Sequence, residues 1–157
     1  MNDVVKQQKT AKIMCRASEL AKHTINACLD MGYKIDTPKL QKLLTIMQGE
    51  YLAEYGKALF SEPIEVWECG VAIRRVNDDF KSYILGITEY QKCYLALLDN
   101  EKYIIHNVLE KFGSLDVFEL NQDPKLTRIK EEYYQKEASI VVSPDFFEEG
   151  FYVEGLK

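Results

Sequence analysis

A leucine-rich stretch decides the fold of this chain: residues 37–56 read TPKLQKLLTIMQGEYLAEYG. Its apolar residues recur at steps of three and four, which is the spacing of one buried face of an α-helix. These positions are Leu40, Leu43, Leu44, Met47, Tyr51, Leu52 and Tyr55. Thr37 can cap the free amides of the first turn, Pro38 needs no N–H there, and Gly56 permits a left-handed turn that ends a helix. The pattern predicts a helix over this stretch, with its leucines in the core.

Helical spacing recurs in six more segments, most of them bounded by a glycine, a proline or a capping residue. They are Met14–Gly32, Ala72–Tyr83 with Ile73, Val76 and Phe80 inward, a helix to Phe112 capped by Asp99 or Asn100, a short turn opened by Ser114, a helix from Asp123 to about Gln135, and Ser143–Gly150. Residues 64–66 and 139–142 resemble small strands, and residues 84–97, which show neither period cleanly, favour extended structure. We therefore predict a mainly α fold, a compact bundle of about six or seven short helices with minor short β-strands.

The length and composition fit one domain. With 157 residues, 46% of them hydrophobic, the chain can bury a core without disulfides or metal. Residues 1–13 are predicted to form a flexible or loosely docked N-terminal arm, and residues 14–157 a single domain. No charge-free run is long enough to span a bilayer, and the first ten residues lack the apolar region of a signal peptide. We expect a cytoplasmic protein without membrane contact.

The net charge of −5 is distributed unevenly. Residues 1–57 carry nine Lys/Arg against six Asp/Glu, a balance of +3, whereas residues 58–157 carry eleven against nineteen, a balance of −8. This disfavours a uniformly basic nucleic-acid-binding protein, although a basic face is left open. On that alternative, the residues contacting phosphates are Lys6, Lys9, Lys12, Arg16, Lys34, Lys39 and Lys42.

Residue types that catalyse reactions or bind metals lack their usual patterns. No two of the four cysteines have the CxxC spacing of a zinc site, and the two histidines, His23 and His106, are far apart. No nucleophile elbow, phosphate-binding glycine loop or zinc-protease motif occurs. The acidic pairs Glu65/Glu68 and Asp78/Asp79 are expected by chance in so acidic a chain. We expect no catalytic residue, no metal, no cofactor and four reduced thiols.

Much of the chain resembles a known family. The strings TPKLQKLL (37–44), QGEYLAEYGKALF (48–60) and EPIEVWECG (62–70) are similar to the Panacea antitoxin domain, also called SocA-like. VLEKFGSLDVFEL (108–120) resembles the family's later helix and glycine break. The resemblance implies a phage-associated or mobile-element protein of a toxin–antitoxin system, which neutralises a cognate toxin by direct binding or by delivery to a protease. Residues that match the family's structural motif are Thr37, Pro38, Leu40, Leu43, Leu44, Gly49, Gly56 and Gly70.

Two segments depart from the family's pattern. Where the family has Trp-x-x-Gly-Pro-Val, this chain continues from Gly70 into Val71–Arg75, which removes the rigid Gly-Pro turn and adds two cations. The family's Thr-His-x-Glu-x-Pro-Trp stretch is reduced to residues 121–125, without histidine or tryptophan. These departures suit a second hypothesis, in which a phage has adapted the scaffold to antagonise a host defence or regulatory protein.

Aromatic residues and arginines dominate binding hot spots, so they are the candidate partner-binding residues. They are Trp67, Arg74, Arg75, Tyr51, Tyr55 and Tyr83. Trp67 is also expected to anchor the connection before it onto the core. The two arginines lie about 100° apart on one helix and can both face outwards, or they can form i,i+4 pairs with Asp78 and Asp79.

The sequence thus favours a non-enzymatic protein-binding module, with a toxin or a host factor as partner. A DNA-binding transcriptional regulator is the remaining alternative, and a homodimer is left open.

Overall fold

The computed structural model describes residues 16–67, 70–83 and 85–133, together with the strand at residues 140–141. In these residues six helices surround one hydrophobic core: α1 (Arg16–Met31), α2 (Thr37–Tyr55), α3 (Arg74–Phe80), α4 (Asp99–Phe112), α5 (Val117–Asn121) and α6 (Pro124–Tyr133). Three short strands, β1 (Glu65–Trp67), β2 (Gly70–Ala72) and β3 (Ile140–Val141), form an antiparallel sheet in the order β2-β1-β3. The predicted mainly α fold with minor strands is confirmed. The predicted arm at residues 1–13 and helix at residues 143–150 lie outside the described residues.

α2 has the predicted bounds, with one correction at its cap. Asp36, not Thr37, is the N-cap, and its carboxylate accepts the backbone N–H of Lys39 at 2.8 Å. Thr37 is the first helical residue, and its hydroxyl donates to the carbonyl of Phe80 at 2.7 Å, so it joins α2 to the end of α3. Gly56 ends the helix at a φ of +66°, which glycine adopts without strain.

α2 is the central helix of the bundle. It packs against the other five helices and against β2. Leu40, Leu43 and Leu44 are fully buried, as predicted, while Pro38 lies in the exposed part of the first turn. The predicted apolar stripe is only part of the buried surface, because every residue from 39 to 49, including Gly49, is buried. Residues 39–49 of the helix are enclosed on all sides rather than half-exposed.

Two glutamines on α2 bind backbone groups of neighbouring segments. Gln41 Oε1 accepts the N–H of Ile73 at 2.9 Å, and its Nε2 donates to the carbonyl of the same residue at 3.3 Å. Gln48 Oε1 accepts the N–H of Leu59 at 2.7 Å, and its Nε2 donates to the carbonyl of Phe60 at 2.7 Å. Buried amide groups need such partners because water cannot reach them. We call this arrangement, one side-chain amide bonded to a backbone N–H and a backbone C=O, a carboxamide clamp.

A buried lysine joins α2 to the end of α4. Lys39 Nζ donates to the carbonyl of Lys34 at 2.7 Å and to the carbonyl of Gly113, which follows α4. The C-terminal end of a helix carries partial negative charge, which favours a cation at this point. Burial nevertheless lowers the pKa of Lys39, because the charged form loses solvation.

The short sheet changes the predicted start of α3. β1 pairs with β2 so that Val66 faces Val71 and Trp67 faces Gly70. Because Gly70–Ala72 belongs to the sheet, the helix predicted from Ala72 to Tyr83 is limited to Arg74–Phe80. Gly70 has a φ of +126°, a conformation that favours glycine. Ile73, Val76 and Phe80, the residues predicted to face inwards in this helix, are nevertheless buried.

Residues 85–98 run alongside α1 and form neither a helix nor a strand. Side chains of α1 supply hydrogen bonds where a neighbouring strand would otherwise do so. Asn26 accepts the N–H of Gln91 at 2.7 Å and donates to its carbonyl at 2.8 Å, a third carboxamide clamp. Glu19 accepts the N–H of Tyr94 at 2.8 Å. The segment therefore lacks the pairing that defines a strand, and side chains of α1 bind its backbone instead.

The starts of α4 and α5 differ slightly from prediction. Leu98, rather than Asp99 or Asn100, is the N-cap of α4. Its backbone N–H donates to the carboxylate of Glu101 in the first turn at 2.8 Å. Asp116, rather than Ser114, caps α5. α6 begins at the predicted proline. These shifts leave the helix order unchanged.

Candidate protein-binding surface

The β1–β2 hairpin and the first residue of α3 bring three side chains together. Glu65 and Trp67 lie two residues apart on β1, so they project from the same face of the strand. The hairpin pairs Glu65 with Ala72, which returns the chain to this point two residues before Arg74. We call Glu65, Trp67 and Arg74 the tryptophan–arginine cluster.

The carboxylate of Glu65 holds the cluster together. Its Oε1 accepts from Arg74 Nη2 at 2.8 Å and from Trp67 Nε1 at 3.2 Å, and its Oε2 accepts from Arg74 Nε at 3.2 Å. The guanidinium carbon of Arg74 lies 5.2 Å from the centroid of the Trp67 ring, within the range of a cation–π contact. Each of the three side chains therefore contacts the other two.

The cluster is fixed on its inner side and open on its outer side. Glu65 is only 8% exposed, whereas the side chain of Arg74 is 59% exposed and Trp67 is half-buried. The hydrogen bond to Glu65 raises the pKa of Arg74, so the guanidinium stays charged. Trp67 was predicted to anchor its segment onto the core, but its ring contacts the other cluster members. The result is a cation and an indole presented to solvent in a set orientation.

The second predicted arginine has a different environment. Arg75 is exposed, and its Nε lies 3.2 Å from Asp79 Oδ2 one helical turn away. Asp79 Oδ2 also accepts from the hydroxyl of Ser18 on α1 at 2.5 Å. Both arginines face outwards, as predicted. Arg75 forms the i,i+4 pair of the alternative interpretation, whereas Arg74 pairs with Glu65.

The three predicted tyrosines pack on the hydrophobic core. Tyr51 is only 4% exposed, so its prediction as a partner-binding residue is corrected to a core role. Tyr55 is half-buried, with its ring centroid 4.8 Å from that of Tyr51. Tyr83 is also half-buried, at 6.3 Å from the ring of Phe80. Their aromatic area mainly stabilises the bundle.

Sequence reasoning missed one member of the cluster and most of the exposed apolar residues. The sequence analysis places Glu65 in the EPIEVWECG string and in an acidic pair with Glu68, which lies outside the described residues, but does not predict it to be a binding residue. Its position two residues before the tryptophan was the available signal. Among the described residues, the large exposed apolar side chains are Leu85, Tyr90, Tyr94, Leu98, Tyr103 and Phe118. Four of them, Leu85, Tyr90, Tyr94 and Leu98, lie in the 85–98 segment, which runs alongside α1.

Two of the residues predicted to contact phosphates are buried in the described part of the chain. Lys39 and Lys42 are 5% and 4% exposed, so the prediction that they contact phosphates is wrong. Arg16 donates to the carbonyl of Leu59 at 2.7 Å and to the carboxylate of Glu101. Of the other lysines in that set, Lys34 is exposed, and Lys6, Lys9 and Lys12 lie outside the described residues.

The described residues include no metal site, and their two thiols are unpaired cysteines. Within residues 16–67, 70–83 and 85–133, no group of three His, Cys, Asp or Glu side chains could hold a metal ion. Cys28 and Cys93 are free thiols, and burial raises the pKa of Cys28 to about 11. Cys15 and Cys69 lie outside the described residues. In the described part of the chain, no helix has both the length and the apolar character needed to cross a bilayer.

Comparisons with known proteins assign no family. No family model, no curated protein and no solved structure matches this chain. A functional proposal therefore rests on the tryptophan–arginine cluster and on the resemblance of the sequence motifs.

Proposed function

We propose that this chain is a non-enzymatic protein-binding module, an antitoxin-type protein of the Panacea, or SocA-like, class. It neutralises a cognate toxin in the cytoplasm, by direct binding or by delivery to a protease. The observation that carries this proposal is the tryptophan–arginine cluster, which presents an indole and a guanidinium side by side. Sequence motifs over residues 37–70 support the choice of class.

The cluster has the physical properties of a binding hot spot. Tryptophan and arginine are the residue types most enriched at such positions. Trp67 and Arg74 both donate hydrogen bonds to the carboxylate of Glu65, so their side chains are held in place before a partner arrives. This reduces the conformational entropy lost on binding. Two of the five N–H groups of Arg74 are used by Glu65, and the exposed remainder can donate to a carboxylate or carbonyl of a partner.

The location of the cluster favours a second candidate function. Val71–Arg75, where the sequence departs from the family's pattern, supplies most of β2 and the arginine of the cluster. A phage-encoded antagonist of a host defence or regulatory protein would use the same surface for a different partner. The identity of the captured protein separates the two: a toxin encoded beside this gene supports the first, and a host protein the second.

The experiment is affinity purification with the full chain as bait, comparing Arg74→Glu with Arg75→Glu. Arg74→Glu places a carboxylate opposite Glu65 on β1, and Arg75→Glu places one opposite Asp79 on α3. The two arginine side chains are exposed to a similar extent, so the variants match in charge and in exposure. Arg74→Glu removes a hot-spot residue, so it should weaken partner affinity by about 30-fold or more. Arg75→Glu should change it much less, because Arg75 lies outside the cluster.

Arg74→Ala serves as a second variant, since it removes the guanidinium without opposing Glu65 with another carboxylate. Thermal unfolding of each variant confirms that it is folded. Partner affinity within a factor of two of wild type in both Arg74 variants would place the binding surface elsewhere.

A further inference from the structure

The run from residue 88 to residue 98, which leads into α4, contains no buried side chain. Elsewhere in residues 16–129, the described residues form no such run longer than six. Residues 88–97 belong to no helix or strand, and among the described residues they make no backbone–backbone hydrogen bond. Exposed and irregular segments of this kind are preferred sites of proteolytic cleavage.

Side chains of α1 bind the backbone of this run at three residues. The pairs are Asn26 with Gln91, Glu19 with Tyr94, and His23 with Leu95, the last at 2.7 Å between Nε2 and the carbonyl oxygen. All three residues of the run are exposed or half-buried, so water can replace these bonds when they break. The run can therefore leave α1 while the rest of the bundle stays folded.

Two tyrosines in this run offer side chains that a protease can select. Tyr90 and Tyr94 are 64% and 65% exposed, and the apolar specificity pocket of a chymotrypsin-type enzyme accepts a large aromatic ring. Residues 56–64 also belong to no helix or strand, but their large apolar side chains are hidden. These are Leu59, Phe60 and Ile64, all of them buried.

We propose that the peptide bonds Tyr90–Gln91 and Tyr94–Leu95 form a cleavage site for an endopeptidase that selects aromatic side chains, and that α1 controls access to it. Because a protease binds its substrate along a cleft, the bonds from Asn26 and Glu19 must open before the backbone can enter.

The chemical step is hydrolysis, with water as the only co-reactant. The C–N bond of the peptide breaks, the tyrosine gains the oxygen of water as part of a new carboxylate, and the following residue gains a new amino group. Cleavage divides the chain between α3 and α4, so the tryptophan–arginine cluster and the last three described helices lie on different fragments. The site thus supplies a way to inactivate the folded protein.

The test is limited proteolysis of the full chain with chymotrypsin under native conditions, with mass spectrometry of the fragments. Within residues 16–133, the first cuts should follow Tyr90 and Tyr94. Asn26→Leu, which releases Gln91 from α1, should speed these cuts about fivefold, because cleavage follows the population of the locally open form. Replacing both tyrosines with glutamine should abolish both cuts and leave the others.

Gln48→Met is the control for global unfolding, because it leaves core backbone groups without partners and does not contact the run. If the run opens locally, this variant should be cut in the run less rapidly than Asn26→Leu, although its bundle is less stable. Wild type in low urea gives a second control, since local opening exposes little surface and its cleavage rate should hardly depend on urea.

First cuts elsewhere in residues 16–133, for example after Phe60, would overturn the proposal. So would an unchanged cleavage rate in Asn26→Leu, or a rate that follows global stability through urea and Gln48→Met. Arg74→Glu should leave the cuts unchanged, because Arg74 is not in this run. Cleavage here and partner binding at the tryptophan–arginine cluster can therefore fail separately.

Discussion

α2 and the 85–98 segment are held by the same kind of contact in different surroundings. Gln48 on α2 clamps the backbone of two fully buried residues, whereas Asn26 on α1 clamps the backbone of Gln91, which is half-exposed. α2 also has its own helical hydrogen bonds. The 85–98 segment has neither helix nor strand bonds, so side chains of α1 provide much of its support.

We expect burial, more than bond type, to determine how much a carboxamide clamp contributes to the free energy of unfolding. A broken bond in the core leaves polar groups without any partner, while at the surface water takes its place. We therefore expect α2 to open only when the whole bundle unfolds, and the 85–98 segment to open locally at lower cost.

The largest effect is expected from Gln48→Met. Methionine keeps the size of the side chain but leaves the N–H of Leu59 and the carbonyl of Phe60 buried without partners. Each unsatisfied buried group costs about 1–3 kcal/mol, so the free energy of unfolding should fall by about 2–6 kcal/mol. Urea denaturation measures this directly.

The matched control is Asn26→Leu, which removes the same chemical group from a half-exposed clamp at similar side-chain volume. Its cost should be about 1 kcal/mol. Equal losses of stability in the two variants would show that burial does not distinguish the clamps.

A pH-dependent effect of intermediate size is expected at Cys28. Its thiol has a pKa of about 11 in the folded chain, against 9.0 for the ordinary group. Between these values the unfolded chain releases the proton and the folded chain keeps it, so stability falls as pH rises from 9 to 11. Two pKa units correspond to about 2–3 kcal/mol.

Comparison of wild type with Cys28→Ala removes this contribution. Lys39 has the opposite sign, because its lowered pKa makes stability rise with pH up to its ordinary value. Lys39 is present in both chains, but Cys28 raises its pKa in wild type only, so the comparison also contains the interaction between these two groups. The free energy of unfolding should therefore fall more in wild type than in Cys28→Ala when the pH is raised from 9 to 11. Urea denaturation at both pH values measures this difference. A constant difference would mean that the Cys28 thiol ionises equally in both states.

Local sequence signals were sufficient for the order of the described helices and for the bounds of α2. Leucines at steps of three and four, an Asp-Thr-Pro start and a glycine stop depend only on near neighbours, and α2 has the predicted bounds. The full burial of α2 could not be predicted in the same way. Gln41, Lys39 and Gln48 look like surface residues, and they are buried because distant backbone groups bind them.

The site was predictable in part for the same reason. Trp67 and Arg74 were selected by residue type, and the structure places them in contact. Their common partner Glu65 depends on the β1–β2 hairpin, which the predicted helix from Ala72 had excluded. Residues 84–97 showed no clear period because their hydrogen-bond partners lie on α1, more than sixty residues earlier in the chain.

A smaller and local effect is expected when the Asn26 clamp is removed. In Asn26→Leu, the amides of Gln91 and Tyr94 should exchange with deuterium about fivefold faster, which corresponds to about 1 kcal/mol of local stability. The exchange rates of amides in the middle of α2 should change only in proportion to the change in global stability. Uniform acceleration across both regions would show that the 85–98 segment unfolds together with the bundle.

The smallest effect is expected at the outer side of the same segment, in Tyr90→Phe. The hydroxyl of Tyr90 donates to the carboxylate of Asp30 at 2.7 Å, and both side chains are exposed. Water replaces the bond when it is lost, so the free energy of unfolding should stay close to that of wild type. The bond also raises the pKa of Tyr90, so Asp30→Asn should lower that pKa, as followed by NMR of the labelled tyrosine ring. A loss in Tyr90→Phe comparable with that in Gln48→Met would contradict the dependence on burial, because the two bonds differ mainly in their access to solvent.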